Sequence, residues 1–195
     1  MDKAVLISIK PEWCKLIASG RKTVEIRKNE PKLVRPFRCF IYCAMPNPTH
    51  QKDVVEISGK RINGKVWAEF ICYNIEPFTT DYRMNEEQTM QLSKKSCVSY
   101  DDLAEYESNA HCLFGWHISN LKIYDEPRDL YEFHRFDFQS MNGTDICGNT
   151  KCENYIPSGS WMQPPECAID GCCLKHPPQS WCYVSERTYD ALRDI

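Results

Sequence analysis

The sequence predicts an α+β protein built around a small, closed or nearly closed β-barrel with flanking helices. Short β-rich segments recur along the chain, helical segments are few, and no internal repeat is present. Closing a sheet into a barrel removes its exposed edges, and a helix after the first strand can plug one end. The 195 residues are enough for one such domain with a small appended module.

The first elements have the clearest patterns. Residues 4–9 are nearly all apolar, as in a strand that is buried on both faces. Pro11 fits the first position of a helix and Gly20 fits its end. Apolar and polar residues then alternate over 22–27, as in a half-buried strand, and 37–43 (FRCFIYC) is predicted to be a further strand.

The later elements are predicted from composition and capping residues. In chain order, we expect an exposed loop or hairpin (45–64), a β-rich run (65–75), a loop with a short helix (80–96), a helix capped by Ser99 and Asp102 and ending near Glu107, a strand (112–124), a short last strand (181–184) and a C-terminal helix (185–195).

Composition places the chain among globular proteins. Hydrophobic residues make up 42% and charged residues 26% of the sequence, which is close to the average. No apolar stretch is long enough to span a membrane, and the N-terminus does not resemble a secretory signal. We therefore expect a soluble, cytoplasmic protein without a membrane partner.

Charge is distributed unevenly along the chain. Residues 1–45 contain ten Lys/Arg and four Asp/Glu, a balance of +6, whereas residues 46–140 have a balance of −6 and residues 141–195 of −3. A basic block within an acidic chain indicates a focused site for an anionic ligand. The alternative is a solvated basic face that has no partner.

Five of the twelve cysteines are crowded into 27 residues near the C-terminus. Two pairs with the same x4 spacing are typical of structural zinc, which takes four thiolate or imidazole ligands. The sequence thus predicts a structural Zn²⁺ in a cysteine-rich insertion over 141–176, and the alternative is reduced, unliganded thiols. The candidate ligands are Cys147, Cys152, Cys167, Cys172 and Cys173. Only four are needed, and one of the last two is expected to be spare.

Polar and charged residues at the start of the chain form the first candidate ligand site. It consists of Lys10, Lys22, Thr23, Glu25 and Arg27. The lysines could bind phosphate as point charges or, if buried, act as a nucleophile or base. Arg27 could contact a phosphate or a base edge, and Glu25 could accept a hydrogen bond from an amine or hold Lys22 in place. The alternative is a strip of surface salt bridges.

Aromatic residues form a second candidate group. Trp116 and Trp181 could stack on RNA bases, although tryptophans of a small barrel are often core residues. The two prolines at 177–178 make a stiff approach to the last strand. We expect Gln179, Ser180 and Trp181 to line the far side of the ligand site, and the alternative is a purely structural lock.

Three blocks of sequence carry a family resemblance. They are SIKP-x6-A-x-GRKTVEIRK from residue 8, GWHISNLKIYDEPRDLYEF from residue 115 and PPQSWCYV from residue 177. Together they resemble the ASCH domain family of the PUA-like superfamily, and most of all the small ASCH proteins of bacteria and their phages. The resemblance covers about 4–136 and returns at 177–184, so the domain is expected over 1–140 with 177–195.

The resemblance implies a PUA-like β-barrel with an RNA-binding cleft near the first helix. Some members are acetylcytidine amidohydrolases, in which a Lys-x-x-Thr pair works with a later glutamate, and others are ribonucleases. Lys22 matches that lysine, Glu25 stands at the threonine position, and the later glutamate would be Glu105 or Glu107.

Three functions therefore remain open. The first is RNA or nucleotide binding through Lys10, Lys22 and Arg27. The second is enzymatic: a hydrolase acting on an acylated nucleoside with Lys22 and Glu25 as catalytic residues, or a ribonuclease. The third is a protein-binding adaptor that uses the acidic middle of the chain and the loop or hairpin at 45–64.

Overall fold

The computed structural model describes most of the chain up to residue 135 and short segments after it. The described ranges are 3–45, 54–80, 86–108, 110–135, 138–141, 144–147, 155–157, 166–167 and 172–185. None of the helices in these ranges is long and apolar enough to cross a membrane.

The described residues form fourteen strands, three α-helices and one 3-10 turn. The helices are α1 (Pro11–Ala18), α2 (Glu86–Ser96) and α3 (Tyr100–Glu107), and the 3-10 turn is Leu130–Glu132. The strands are β1 (Lys3–Ile9), β2 (Val24–Arg27), β3 (Phe37–Cys43), β4 (Glu56–Ile57), β5 (Lys60–Arg61), β6 (Val66–Phe78), β7 (Leu113–Arg128), β8 (His134–Arg135), β9 (Phe138–Met141), β10 (Thr144–Cys147), β11 (Tyr155–Ile156), β12 (Glu166–Cys167), β13 (Cys172–Cys173) and β14 (Trp181–Ser185).

Eight of these strands form one mixed sheet in the order β13-β8-β14-β1-β3-β6-β7-β2. β1 and β3 are parallel, and their neighbours in the sheet are antiparallel to them. The predicted α+β class is confirmed, but of the predicted closed or nearly closed barrel the closed form is wrong for the described part of the chain, because β2 pairs there with β7 alone and remains an edge. β2 is short, and Pro31 and Pro36 follow it, so this segment lacks two of the N–H groups needed to continue the ladder.

The sheet nevertheless curves until β2 faces β1 across an open seam. The Arg27 side chain at the end of β2 donates a hydrogen bond to the Ser8 carbonyl of β1 at 2.7 Å. Nearby, Trp181 Nε1 of β14 donates to Asn29 Oδ1 at 2.7 Å. Side chains thus bridge the gap that a closed barrel would fill with backbone hydrogen bonds.

β1 is buried on both faces, as its apolar sequence predicts. Val5 and Ile7 belong to the interior cluster of the curved sheet, whereas Leu6 belongs to a second cluster on the other face. Helix α1 buries Cys14 and Ile17 in the interior cluster. The helix after the first strand therefore packs against the interior of a curved sheet that stays open, and not into the end of a closed barrel.

Helices α2 and α3 pack beside the seam through a third apolar cluster. This cluster contains Leu92 of α2 and Leu103 of α3 together with Val24 and Ile26 of β2. Because α2 has eleven residues, the helix in this segment is longer than expected from a loop with a short helix. Its Glu, Gln, Met and Lys residues favour helix, which outweighs the low hydrophobicity of the segment.

Helix α3 begins as its sequence predicts. Ser99 is the N-cap, and its hydroxyl accepts a hydrogen bond from the Asp102 N–H at 3.1 Å. The helix ends at Glu107, also as expected. The residues of α3 that point toward β2 are therefore held at a fixed position.

The cysteine-rich segment is attached to the main sheet at its base. β8 pairs with β13, and the Leu174 N–H donates a hydrogen bond to the Phe133 carbonyl at 2.8 Å. Cys172 and Cys173, which were expected to belong to the insertion, therefore lie on a strand of the main sheet.

Two other expected elements fall partly outside the described residues. The hairpin expected within 45–64 is present as β4 and β5, while residues 46–53 lie outside the described ranges. The C-terminal helix expected over 185–195 also falls outside them, except for its first residue, which ends β14.

Candidate functional site

A cleft of about 710 Å³ lies along the open seam of the sheet. β1 and the chain before β14 form one side, β2 and the residues after it form the other, and α1 and α3 contribute the remaining walls. The lining residues are Ser8, Lys10, Trp13, Lys22, Glu25, Ile26, Arg27, Lys28, Asn29, Val98, Asp102, Leu103, Tyr106, Gln179 and Ser180.

Three charged side chains are held together at the base of the cleft. Lys22 and Glu25 are 2% and 3% exposed, and the Arg27 side chain is 12% exposed. Lys22 Nζ lies 3.2 Å from Glu25 Oε2 in an ion pair, while Arg27 Nη1 is paired with the other oxygen, Glu25 Oε1. One carboxylate thus sits between two cations, which leaves this trio with one net positive charge.

The local sequence explains how the three side chains meet. Glu25 and Arg27 are two residues apart on β2, so they point to the same side. Lys22 would point to the opposite side if the strand began there, but β2 begins only at Val24. The chain before β2 is therefore free to turn Lys22 toward Glu25.

Lys22 also connects β2 to helix α2. Its ammonium donates a hydrogen bond to the Ser96 carbonyl at 2.7 Å and lies 5.0 Å from the centroid of the Trp13 ring. Ser96 is the last residue of α2, where a cation is favourable because the helix dipole is negative at that end. The ammonium is thus occupied by protein groups on three sides.

Two further lysines of the cleft are exposed. Within the described part of the chain, the ammonium groups of Lys10 and Lys28 form no hydrogen bond or ion pair. Lys28 Nζ lies 4.8 Å from the centroid of the Tyr106 ring. The lining contains four cations and two anions, which gives it a net charge of +2. The cations are Lys10, Lys22, Arg27 and Lys28, and the anions are Glu25 and Asp102.

Three residues of the cleft, Trp13, Lys28 and Tyr106, are not among the predicted ligand residues. A signal was present for Tyr106, because it lies three residues after the buried Leu103 and thus on the same helical face. For Lys28 the signal was only its position next to Arg27, at the point where β2 ends.

Most of the predicted ligand residues do line this cleft. Gln179 and Ser180 join Lys10, Lys22, Glu25 and Arg27 there. The Ser180 carbonyl accepts a hydrogen bond from the Ser8 N–H at 2.9 Å, which fixes the chain before β14 to β1.

Thr23 is not among the lining residues. Its side chain is exposed, while its backbone N–H donates to the Lys95 carbonyl and its carbonyl accepts from the Ile118 N–H, both at 2.9 Å. Thr23 therefore connects β2 to α2 and β7 through its backbone.

Trp116 is placed in the core, which corrects the expectation that it contacts ligand. It is fully buried, and its ring packs edge-on against Phe37 with centroids 6.0 Å apart. Its other neighbour, Trp181, is half-buried at 5.9 Å and does not line the cleft, although it packs against the interior cluster. Neither ring therefore presents a surface within the cleft on which a base could stack.

Glu107, one of the two candidate later glutamates, lies away from the cleft. Its carboxylate accepts a hydrogen bond from the Thr80 N–H at 2.7 Å and another from the Thr80 hydroxyl. Burial raises the pKa of Glu107, but the hydrogen bonds from Thr80 and Thr79 outweigh it and leave the pKa below its ordinary value. Glu107 thus anchors the end of α3, and neither it nor Glu105 lines the cleft.

The predicted zinc ligands are described only by their backbone or not at all. Cys152 lies outside the described residues, and the side chains of the other four fall outside them too. Cys147 ends β10, Cys167 ends β12, and Cys172 and Cys173 form β13. Among the side chains that the structure describes, no group of three or more metal-ligating residues is present.

Comparison with known proteins identifies the fold and the family. Nine chains of solved structures match. One is a crystal structure of an ASCH protein from Zymomonas mobilis, with a TM-score of 0.51 and 16% sequence identity. Another is a single-residue mutant of that protein, with a TM-score of 0.57 and 15% sequence identity. Each alignment covers 98% of this chain and 94% of the other chain. At this identity the likeness concerns the fold alone. No curated protein matches the sequence. The ASCH domain model matches residues 7–138, which is more than half of the sequence, and the chain belongs to the ASCH domain family.

Proposed function

We propose that the cleft binds single-stranded RNA. The observation that carries this proposal is the pair of exposed lysines, Lys10 and Lys28, in a positively charged cleft that also contains aromatic rings. Proteins that bind single strands combine a positive groove for the backbone with aromatic surfaces for the bases. The general link of the ASCH family to RNA supports the same ligand.

The two kinds of cation would have different roles. Lys10 and Lys28 are free to neutralise phosphates, since no carboxylate of the described chain pairs with them. Lys22 and Arg27 are already paired with Glu25 and would act through the net positive charge of the trio. Because that trio is largely buried, salt screens its field less than the field of a surface charge.

This arrangement favours binding over the hydrolase alternative. A nucleophilic or basic lysine needs a free amine that faces the substrate. Lys22 instead donates to the Ser96 carbonyl and pairs with Glu25, and it would have to leave both contacts before it could attack a substrate. Lys22 is therefore assigned to holding the wall of the cleft.

Removing the two exposed lysines should weaken RNA binding and reduce its dependence on salt. For single strands, the slope of log K against log salt is about −0.7 per neutralised phosphate. The double variant Lys10→Ala, Lys28→Ala should therefore lose about 1.4 from the magnitude of this slope. The measurement is fluorescence anisotropy with a labelled single-stranded RNA at several salt concentrations.

The matched control replaces two exposed lysines that do not line the cleft, Lys15 and Lys94. This Lys15→Ala, Lys94→Ala variant should keep the slope of the wild type. An equal loss in both double variants would show that RNA responds to overall charge, and the cleft would not be the binding site.

We also propose that the cysteine-rich segment holds a structural Zn²⁺. Its support is the spacing of the cysteines together with the backbone, which brings residues of β10 and β12 to Cα–Cα distances of 8 Å or less. Cys147 and Cys167 lie on these two strands. Four thiolates around one ion would join short strands that have little apolar sequence of their own.

Counting reactive thiols tests the zinc proposal. Burial raises the pKa of Cys14 and Cys39 well above the ordinary value and that of Cys72 to about 12, so these thiols should not react in the folded protein. In the zinc-loaded protein, the fast-reacting thiols should be the half-buried Cys97 and Cys112 and any cysteine of the cluster left unliganded. A chelator should then expose the ligand thiols and release about one equivalent of zinc.

Serine substitution separates the cluster from the other cysteines. Cys147→Ser should lower the zinc content, whereas Cys97→Ser should leave it unchanged. Less than about half an equivalent of zinc, with all cluster thiols reactive before chelation, would contradict the proposal.

A further inference from the structure

We propose that Tyr106 is the surface on which the cleft stacks an RNA base, and that Lys28 covers this ring until RNA displaces it. The inference rests on the proposed function and assigns the base-binding position within the same cleft. It replaces the expected stacking on Trp116, which is fully buried.

Tyr106 combines exposure with a rigid support. Its side chain lines the cleft and is 40% exposed. Leu103, one helical turn earlier, is 1% exposed and fixes α3 against β2. Ser99 caps the start of the same helix. The ring is therefore accessible, while the helix that carries it is anchored at two points.

Among the described residues that line the cleft, Trp13 is the other aromatic one, but the cation that lies over its ring is held in place. The ammonium over the Trp13 ring belongs to Lys22, which is buried and also contacts Ser96 and Glu25. Moving Lys22 off that ring would leave Glu25 without one of its counter-ions. A base therefore does not replace Lys22 on this ring, and Trp13 supports the wall of the cleft.

The cover over Tyr106 is of a different kind. Lys28 is exposed, and its Nζ lies 4.8 Å from the centroid of the Tyr106 ring. Within the described residues, this is the contact that the Lys28 ammonium makes. A cation–π contact between exposed groups is weak, so a base can take its place. The freed ammonium stays beside the cleft, where it can neutralise a phosphate of the same strand.

The geometry favours a single-stranded ligand. A base can lie flat on Tyr106 only if it is unstacked from its own neighbours, as in loops and single strands. Stacking on an aromatic side chain tolerates any base, since each has a π face. We therefore expect Tyr106 to contribute affinity for RNA bases with little preference for sequence.

The test compares two ligands that differ only in their bases. One is a labelled single-stranded RNA, and the other is an abasic ribose-phosphate strand of the same length. Tyr106→Phe keeps the ring and should bind both ligands within about 2-fold of the wild type. Tyr106→Leu removes the ring and should weaken RNA binding by about 5-fold to 150-fold while leaving the abasic strand unaffected.

Tyr131→Ala is the matched control, because Tyr131 is 64% exposed and does not line the cleft. It should change neither affinity. Equal RNA affinity of wild type and a folded Tyr106→Leu variant would overturn the inference and leave the proposed function intact. If the wild type binds neither ligand, the proposed function itself fails.

A readout on the wild type covers the case in which Tyr106→Leu does not fold. An RNA with one 2-aminopurine flanked by uridines should lose fluorescence on binding, because stacking on an aromatic ring quenches it. The Tyr106→Phe protein should quench equally. Binding without quenching at any position of the 2-aminopurine along the strand would contradict the inference.

Discussion

Replacing Glu25 with glutamine should destabilise the fold by about 3–5 kcal/mol. Glu25 is 3% exposed and is the counter-ion of both Lys22 and Arg27. Without its charge, two cations remain close together at a largely buried position with no carboxylate between them. Removing one partner of a buried ion pair is costly for this reason. Urea denaturation at neutral pH measures the change in the free energy of unfolding.

An exposed ion pair provides the control for this prediction. Glu126 pairs with Lys60, and their side chains are 74% and 48% exposed. Glu126→Gln should therefore change the free energy of unfolding by less than about 1 kcal/mol. Adding Lys22→Met to Glu25→Gln removes one of the two cations that have lost their counter-ion. The double variant should therefore regain part of the free energy of unfolding. A Glu25→Gln protein as stable as the Glu126→Gln protein would contradict the role of Glu25 as a buried counter-ion.

Replacing Trp116 with alanine should destabilise the protein by about 3–5 kcal/mol. Trp116 is fully buried in the interior cluster and contacts Phe37 and Trp181. Alanine would leave a large cavity between the strands, which a curved sheet can fill only in part. The measurement is again urea denaturation, with Tyr131→Ala as the exposed aromatic control.

A milder substitution distinguishes a core role from a ligand role. Trp116→Phe keeps an aromatic ring in the core and should fold, with RNA affinity within about 2-fold of the wild type, since a buried ring offers no stacking surface. A well-folded Trp116→Phe protein that loses RNA binding would restore Trp116 as a ligand residue.

Much of the fold could be predicted because its signals are local. Pro11 and Gly20 mark the two ends of the first helix region, and Ser99 marks the start of α3. These signals depend on residues within one helical turn of each other. The 37–43 strand is found with the predicted bounds. The family motif added the PUA-like class and the region of the cleft.

The pairing of the charges could not be predicted in the same way. Lys22 contacts Ser96, which is 74 residues away along the chain. Lys28 meets Tyr106 because α3 packs on the third apolar cluster beside β2. No periodicity in the sequence relates such positions, since their distance depends on how the sheet curves.

The sequence by itself determined the main strands of the large sheet, the limits of the first helix region, the start of α3 and the family. It also predicted a basic ligand site around Lys10, Lys22 and Arg27. Alternation and capping are short-range effects, so they can be recognised in a single chain. Only the tertiary structure decided that the sheet of the described residues stays open along a seam and that Trp116 is buried. It also decided that Lys22 is paired with Glu25, while Lys28 lies over the Tyr106 ring. Burial and ion pairing depend on which distant segments meet, and that is set by the packing of the whole sheet and its helices.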